Sequence, residues 1–390
     1  MGTPSGSKNE AEAQKTVDIY AVAKRARVSA STVSRVINGL QTVDAKLAAR
    51  VWAAARDLDY RPNLQARSLG SGRSRLLGLI VTDVSNPFFP DLIRRFEFHA
   101  VNHGYEILIG CLSEDETSIN RCLTRMLDRR VDGIAALTFG LHEPIIGHLV
   151  GKDVPVVFAN FHRSLPYVTS LHVDYKSGYR QAVQHLGFLG HREIAFLAGP
   201  LDRTDTVAVE RFEAFREATR EIGVEVPRAW ILEGDFTLES GIELTEKLLR
   251  QKNHPTAIVC TNDLGAIGVL HAVMNHGFIV PDYLSVIGFD NIPLASYTFP
   301  PLTTIEMSCD QLAVHAIEAL VNKIEVRKLN VRHTVPTQLI LRRTTAVPRV
   351  LKPATQASDG VRRSRSPVVG NTDAAPERAT VAQRRMEPRG

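Results

Sequence analysis

The chain has 390 residues, of which 44% are hydrophobic and 23% are charged, a composition typical of a globular protein with two or three domains. No run approaches the about 18 consecutive apolar residues of a membrane-spanning helix, and residues 1–15 lack the apolar centre of a secretory signal, so we expect a cytoplasmic protein. The net charge of +5 is uneven, since residues 1–75 carry +7, residues 351–390 carry +4 and residues 76–350 carry −6. The basic N-terminal segment indicates a polyanionic partner, with nucleic acid as the first candidate.

Three amphipathic helices are predicted in the N-terminal segment, each behind a side-chain N-cap. They cover residues 19–26 behind Asp18, 30–40 behind Ser29 and 45–60 behind Asp44. The apolar positions expected in their shared core are Ile19, Val22, Ala23, Ala26, Val33, Val36, Ile37, Leu47, Val51, Trp52, Ala55 and Leu58. Two short helices joined by a tight turn, with a third packed across them, are typical of a helix-turn-helix unit.

The second of these helices has an outward face formed by Ala30, Ser31, Ser34 and Arg35. In a helix-turn-helix unit this helix enters the major groove with its N-terminal residues leading. Arg35 can make a bidentate contact to guanine, Ala30 can touch a thymine methyl group, and Ser31 can bond a base edge or a phosphate. A plain three-helix bundle with a polar face has the same pattern, and the helical period alone does not separate the two.

A polar, basic linker follows at residues 61–75. Asn63 is a suitable N-cap and Gly70 a suitable stop, but about six residues are too few for a helix that is stable alone. We expect the segment to be disordered in isolation and helical only when a partner surface supports it. The alternative is a simple polar tether.

From Leu76 onward, short apolar strands alternate with amphipathic helices, which is the pattern of a parallel sheet covered on both faces. The predicted strands are residues 76–81, 105–111, 133–137, 154–159, 193–199, 256–260 and 284–289. The series is long for one sheet. We therefore predict a two-lobed α/β core with two doubly wound parallel sheets, and a ligand cleft at the carboxyl ends of their strands.

Polar and aromatic residues follow several of these strands, where such a cleft would lie. They are Phe88, Phe89, Asn160, Arg211, Asn262, Asp263, Asp290 and Asn291. An Arg with Asp and Asn groups can bracket the hydroxyls of a sugar or polyol while an aromatic ring covers its apolar face. Structural interpretations compete at three of them: Asp263 as a helix N-cap or ion-pair residue, Asn291 as a loop cap, and Phe89 as part of a core stripe.

The chemistry-bearing motifs of common enzymes are absent. The sequence contains no P-loop, no GxSxG and no HExxH, and its four cysteines and thirteen histidines show no metal-ligand spacing. We therefore predict no cofactor, no metal site and no enzymatic activity, and we expect the cysteines to be buried thiols.

Spaced motifs in a fixed order run along about residues 17–347. VDIYAVAKRARVSASTVSRVING (17–39) is followed by LDYRPN (58–63) and ARSL (66–69). Downstream lie LLGLIVTDVSNPFF (76–89), VDGIAAL (131–137), HLGFLGHREIAFLAGP (185–200), TNDLGAIGVL (261–270) and SVIGFDN (285–291). In these motifs the sequence closely resembles LacI-type transcriptional regulators, the LacI/GalR family, and the resemblance favours the helix-turn-helix over the plain bundle.

The resemblance implies roles for individual residues. Recognition-helix and neighbouring residues would contact the major groove and the backbone, and the linker would form a hinge helix in which Leu69 opens a base step in the minor groove. The implied DNA-binding residues are Asp18, Tyr20, Ser29, Ala30, Ser31, Ser34, Arg35, Asn38, Asp44, Lys46, Tyr60, Asn63, Ala66 and Leu69. The implied effector-binding residues are Phe88, Asn160, Arg211, Asn262 and Asp290.

Two positions depart from the family pattern. The leading recognition residues Ala30 and Ser31 are short, so much of the base discrimination falls on Arg35. Asn160 stands where the family commonly has Asp, which leaves the effector's identity open.

The predicted protein is a transcriptional repressor that binds a palindromic operator as a homodimer, controlled by a sugar, polyol or sugar acid. Residues 351–390 have no leucine heptads, which favours a dimer over a tetramer. The alternatives, an exported solute-binding protein and a sugar-modifying enzyme, lack support from an export signal or a catalytic motif.

The chain is predicted to consist of five units: a disordered arm (1–15), a helix-turn-helix domain (16–62), a hinge helix and linker (63–75), an effector-binding and dimerisation core (76–350) and a disordered basic tail (351–390). Within the core, one lobe comprises about residues 76–172 plus 307–336, and the other comprises about residues 173–306 plus 337–347.

Overall fold

The computed structural model describes residues 17–37, 43–60, 72–112, 116–138, 142–149, 151–201, 206–326 and 333–349; the predicted arm, hinge helix and tail lie outside them. The helices are α1 Ile19–Ala26, α2 Ala30–Ile37, α3 Ala45–Asp57, α4 Phe88–Asn102, α5 Glu116–Asp128, α6 His142–Leu149, α7 Tyr175–Leu189, α8 Thr206–Glu221, α9 Leu238–Leu249, α10 Asp263–Asn275 and α11 Cys309–Val326. The strands are β1 Leu76–Val81, β2 Glu106–Cys111, β3 Gly133–Ala136, β4 Val156–Ala159, β5 Val168–Val173, β6 Ile194–Ala198, β7 Ile231–Glu233, β8 Ala257–Cys260, β9 Ser285–Asp290, β10 Thr303–Met307, β11 His333–Val335 and β12 Thr337–Ile340.

The three N-terminal helices pack around a small apolar core. Its buried members are Val22, Ala23, Ala26, Val33, Val36, Val51, Ala54 and Ala55. The prediction that Trp52 belongs to this core is wrong, because its side chain is 44% exposed. The buried stripe of α3 contains Val51, Ala54 and Ala55, and Trp52 lies about 100° around the helix from Val51.

Two six-stranded sheets and the helices that cover them form the rest of the described chain. The first has the order β11-β5-β4-β3-β1-β2 with all strands parallel. The second has the order β12-β10-β9-β8-β6-β7, and its strands are parallel except that β12 runs antiparallel to β10. The predicted two-sheet α/β fold is confirmed, with the correction that the second sheet is mixed. An antiparallel strand fits at an edge because it has one neighbour to pair with.

The central strands hold the candidate cleft residues in fixed positions. Every residue of β3, β4, β6, β8 and β9 is buried, as expected for strands that helices cover on both faces. Asn160 follows the last residue of β4, and Asp290 is the last residue of β9. The rigid sheets therefore place both side chains at carboxyl ends of parallel strands.

The chain passes between the two sheets three times. It leaves β5 at Val173 and enters α7, and a Cβ on Gly178 of that helix would lie 2.5 Å from Ile305 of β10 in the second sheet. It then leaves β10 at Met307 and enters α11, and it finally passes from β11 to β12 across Pro336. Each lobe is therefore built from separate stretches of the sequence.

Two further properties bear on the sequence-based predictions. None of the helices in the described part of the chain combines the length and apolar character needed to cross a membrane. Cys122 and Cys260 are buried, but Cys111 is exposed, so the expectation of buried thiols is wrong for Cys111, which lies on the edge strand β2.

Candidate functional site

The helices α1 and α2 each begin at a side-chain cap and are joined by a tight turn. Asp18 Oδ1 accepts a 2.8 Å bond from the Ala21 amide at the start of α1. Ser29 Oγ accepts a 3.1 Å bond from the Thr32 amide at the start of α2, so the predicted Ser29 cap is present. Arg27 adopts the left-handed conformation between the two helices, with φ 52°. The two caps thus define where α1 and α2 begin, the left-handed Arg27 ends α1, and the shared apolar core holds the two helices together.

The outward face of α2 is polar and cationic. Ser31 and Arg35 are exposed, and Ser34 is half-buried. Ala30 is half-buried and packs against the helical core, so its predicted outward position is only partly realised. The Ser29 hydroxyl lies 2.8 Å from both the Ser31 and Thr32 hydroxyls. The N-terminal end of α2 therefore presents linked hydroxyls one helical turn from an exposed guanidinium.

The start of α3 adds further polar groups to the helix-turn-helix unit. Asp44 Oδ1 accepts bonds of 2.9 Å from the Lys46 amide and 3.3 Å from the Leu47 amide. This carboxylate therefore caps α3, as predicted. The Lys46 side chain is exposed, and Tyr20 of α1 is exposed as well.

The predicted contacts beyond α3 are covered only in part. Tyr60 is half-buried, and its amide donates a 2.9 Å bond to Ala55 O. Burial and the charge of Asp18 raise the pKa of the Tyr60 phenol, so it stays a neutral donor. Asn38, Asn63, Ala66 and Leu69 lie outside the described residues.

Arg211 of α8 is the centre of the candidate cleft. Only 5% of this residue is exposed. It donates a 2.7 Å bond to Thr261 O, and its Nη2 lies 3.8 Å from Asp290 Oδ1. Its guanidinium carbon is 4.4 Å from the ring centroid of Phe289 and 5.0 Å from that of Tyr175. The cation is therefore held by one carbonyl, one carboxyl and two aromatic faces.

Three buried hydroxyl groups lie beside this cation. Tyr175 Oη interacts with Arg211 and Tyr179 Oη with Thr261, but these atoms, Thr261 Oγ1 and Arg211 Nε make no hydrogen bond of full geometry within the described residues. Incompletely bonded polar atoms gathered in one buried place are typical of a site that binds a polar ligand. Burial raises the pKa of Tyr175 to about 12, so its hydroxyl is a donor at neutral pH.

Asp290 combines backbone strain with a shifted acidity. Its φ of 107° lies outside the regions that residues with a Cβ usually occupy, and such outliers cluster at functional sites. Burial raises the pKa of its carboxyl to about 7, against the opposing effect of Arg211. The group can therefore either donate or accept a hydrogen bond near neutral pH.

Asn160 joins the two lobes. Its Oδ1 accepts a 2.6 Å bond from the Val173 amide, and its Nδ2 donates a 2.8 Å bond to Glu210 Oε2 on α8. His162 Nε2 contacts the other oxygen of Glu210. Both polar ends of the Asn160 amide thus have protein partners. Neither Glu210 nor His162 was predicted to belong to the cleft, although Glu210 immediately precedes Arg211.

The neighbouring residues Asn262 and Asp263 have different roles. Asn262 is the N-cap of α10, because its Oδ1 accepts a 3.0 Å bond from the Gly265 amide, and its Nδ2 donates a 2.6 Å bond to Phe236 O. The interpretation of Asp263 as the cap or as an ion-pair residue is wrong. Asp263 is fully buried and accepts bonds from the Ile292 amide at 2.8 Å and the Thr304 hydroxyl at 2.5 Å.

The remaining candidates are mainly structural. Phe88 and Phe89 begin α4 with both rings buried in the main apolar core, 5.4 Å apart and edge to face. Asn291 Oδ1 accepts a 2.6 Å bond from Arg342, and its Nδ2 donates a 3.0 Å bond to Glu306. The structure therefore brings Arg211 and Asp290 together, links Asn160 through Glu210, and leaves Phe88 packed in the core.

Comparison with protein families gives two matches. Residues 18–63 match the family described as "Bacterial regulatory proteins, lacI family". Residues 183–345 match the family described as "Periplasmic binding protein-like domain". The first match covers the three N-terminal helices, and the second covers all six strands of the second sheet together with α11 and β11.

Individual proteins extend the similarity to most of the chain. The HTH-type transcriptional repressor PurR of Actinobacillus pleuropneumoniae serotype 5b (strain L20) is 34% identical over 327 residues, which are 83% of this chain and 96% of the repressor. The Lac repressor dimer bound to operator and the anti-inducer ONPF superposes with a TM-score of 0.74 at 28% identity, over 85% of this chain and 100% of that chain. The transcriptional regulator CelR in complex with cellobiose superposes with a TM-score of 0.64 at 27% identity, over 84% and 99%.

Proposed function

Since the chain belongs to the lacI family of bacterial regulatory proteins and is a DNA-binding transcriptional regulator rather than an enzyme, we propose that it represses transcription from a palindromic operator. The observation that carries this proposal is the exposed Arg35 on α2, a helix that begins at the Ser29 cap and packs through Val33 and Val36 in the helical core. A rigid helix with an exposed guanidinium is suited to bidentate readout of guanine in the major groove. The relative named PurR is a repressor, and this supports repression over activation.

The first test concerns DNA reading by Arg35. We expect Arg35→Ala to lose about 1–3 kcal/mol of discrimination between the selected operator and a scrambled duplex. Fluorescence anisotropy with both duplexes measures this difference, after the operator has been selected from random DNA by the wild-type protein. Arg56→Ala is the matched control, because Arg56 is an exposed arginine of α3 outside the proposed reading face. If wild type binds operator and scrambled DNA equally, the proposal is wrong.

We propose that the effector is a sugar, polyol or sugar acid bound around Arg211. The polar atoms of Arg211, Tyr175, Tyr179 and Thr261 offer donors and acceptors for adjacent hydroxyls, while the rings of Phe289 and Tyr175 hold the Arg211 guanidinium in place. A structural neighbour, CelR, has been solved with the sugar cellobiose. Asp290 completes the set as a carboxyl that can accept from a hydroxyl group.

The second test concerns Arg211. Thermal-shift screening of sugars, polyols, sugar acids, sugar phosphates and nucleobases identifies a stabilising compound, and DNA binding is then measured with and without it. We expect Arg211→Ala to bind DNA and to lose the response to the compound. Arg216→Ala is the control, since Arg216 is a half-exposed arginine of the same helix that pairs with Glu213. A normal response in Arg211→Ala, or a hit list of nucleobases alone, contradicts the assignment.

We further propose a homodimer whose interface includes exposed apolar residues of the second lobe. Tyr297 and Phe299 are 84% and 85% exposed, and Leu294 is exposed nearby in the chain. Large apolar side chains exposed together mark interaction surfaces, and a two-fold dimer matches a palindromic operator. We expect two chains per operator duplex in sedimentation experiments.

The proposed units are those predicted above. Residues 16–62 read DNA, residues 63–75 couple the domains, and residues 76–350 bind the effector and the partner chain.

A further inference from the structure

Two histidines and a glutamate converge on the first lobe. Within the part of the chain that the structure describes, the ligand atoms of His315, Glu318 and His333 lie within 4.8 Å of one another. His315 and Glu318 belong to α11, and His333 is the first residue of the edge strand β11. The cluster shares no residue with the cleft or with the helix-turn-helix unit. The sequence predicts no metal site here, because His315 and His333 are far apart in the chain and do not form a short ligand motif.

The local fold sets the geometry of this cluster. His315 and Glu318 are three residues apart on one helix, so their side chains lie on the same face. The ring centroids of His315 and His333 are 4.9 Å apart with an interplanar angle of 33°. His315 Nδ1 lies 3.7 Å from Glu318 Oε2, which is too far for a hydrogen bond. The three groups therefore face one another without bonding.

One of the ring nitrogens is an unexplained buried polar atom. His315 Nδ1 is buried and has no hydrogen-bond partner in the described residues. A histidine pair that served only to pack α11 on β11 would be expected to satisfy such a nitrogen with a protein acceptor or donor. The unpaired Nδ1 lies 3.7 Å from Glu318 Oε2, on a ring whose centroid is 4.9 Å from that of His333, and is available to a ligand.

We propose that His315, Glu318 and His333 form a binding site for Zn²⁺. Two imidazoles and one carboxylate are a known ligand set for zinc, with a fourth position left to water. Zinc-ligand bonds of about 2.0–2.2 Å place tetrahedral ligand atoms about 3.4 Å apart. The present 4.8 Å spread closes by side-chain rotation, for which the Glu318 side chain, 47% exposed, has room.

The bound ion ties a helix to an edge strand. β11 is three residues long and pairs with β5 alone in the described sheet, so few backbone bonds hold it. β11 also leads through Pro336 into β12 of the second sheet. Zinc at this position would therefore stabilise one of the three passages between the lobes, since a ligand that binds the folded state alone raises its stability.

The test is Zn²⁺ binding by the full-length protein after chelator treatment. Isothermal titration with ZnCl₂ should show one tight site per chain, and thermal denaturation should shift to higher temperature with zinc. Glu318→Gln and His333→Gln should each weaken the tight site at least about tenfold. His172→Gln is the matched control, because His172 is an exposed histidine of the adjacent strand β5 that is not in the cluster.

Spectroscopy with Co²⁺ in place of zinc provides a second readout. Tetrahedral Co²⁺ has strong visible absorption, which should appear in wild type and His172→Gln and be lost in Glu318→Gln. Because the Glu318 side chain is half-exposed, this variant is expected to fold, and circular dichroism checks that it does. The proposal is overturned if wild type has no tight zinc site, or if Glu318→Gln and His333→Gln both bind zinc as wild type does.

Discussion

Asp290 is the residue at which burial most directly predicts a pH dependence. Its pKa rises from 3.8 to about 7 in the folded protein. Between these two values the folded chain binds more protons at this carboxyl than the unfolded chain does, so the free energy of unfolding falls as the pH rises. The full difference is at most about 4 kcal/mol, since each pKa unit corresponds to about 1.4 kcal/mol. We expect Asp290→Asn to reduce the decrease in stability between pH 5 and pH 8.

Urea denaturation of wild type and Asp290→Asn at several pH values measures this effect. Asp282→Asn is the control, because Asp282 is an exposed carboxylate of the same lobe. Asp263 also has a raised pKa through burial, so some slope should persist in the variant. Stability profiles of wild type and Asp290→Asn that run parallel over the whole range would refute the shift.

At the level of residues, part of the cleft could be predicted from the sequence. Arg211 and Asp290 were predicted together because both follow buried strands, whose carboxyl ends meet at one sheet edge. Tyr175 and Tyr179 were missed because they follow β5, whose alternating and partly polar sequence was not recognised as a strand. That Asn262 rather than Asp263 caps α10 depends on the backbone conformation at the start of the helix, which a residue pattern does not specify.

At the level of elements, the contact between α9 and α10 depends on glycine. A Cβ on Gly268 would lie 2.3 Å from Leu238 O and 2.9 Å from the Ile242 amide nitrogen. A Cβ on Gly241 would lie 2.4 Å from Gly265 O. These neighbours are backbone atoms, which cannot rotate away as a side chain can. We expect Gly268→Ala to lower the free energy of unfolding by about 1–3 kcal/mol, because the two helices must separate.

Gly147 of α6 provides the opposite case. Among the described residues, nothing lies within 4 Å of a Cβ built on this glycine, and it is inside a helix. We expect Gly147→Ala to raise the free energy of unfolding by about 0.5–1 kcal/mol, because alanine loses less backbone entropy than glycine. Urea midpoints of the two variants, measured side by side, test the packing argument. Equal midpoints for Gly268→Ala and wild type would mean that the α9–α10 contact relaxes freely.

The predictability of the elements followed their length and apolar content. Strands such as β1 and β9 can be predicted because LLGLIV (76–81) and LSVIGF (284–289) are largely apolar runs of six residues, and both strands are almost wholly buried. The three-residue strands β7 and β11 were missed, since so short a segment has no period to detect. Trp52 was assigned to the core of α3 because it is large and apolar, yet the buried stripe is filled by the small Ala54 and Ala55. Residue type alone does not set the phase of a helix.

For the whole molecule, the uneven charge decides which part approaches DNA. Residues 1–75 carry +7, whereas the core at 76–350 carries −6. Phosphates therefore attract the N-terminal segment and repel the core, so that DNA is approached with the helix-turn-helix unit leading. In the proposed function, effector binding in the cleft is thereby separated from DNA, and residues 61–75 are the covalent connection that we propose couples the two.

Residues 351–390 carry a net charge of +4, so their contribution to DNA affinity must be separated from that of the N-terminal segment. We propose that DNA affinity comes from the N-terminal segment of each chain, with about 6–10 phosphates contacted per dimer. The slope of log K against log salt should then be about −5 to −9. Deleting residues 351–390 should change this slope by less than about 1. Anisotropy titrations of both proteins between 50 and 200 mM salt, roughly the range over which such contacts cost the most affinity, measure the two slopes. A slope that flattens by several units on deletion would mean that the tail also contacts phosphates, and the proposed division of charge would then be wrong.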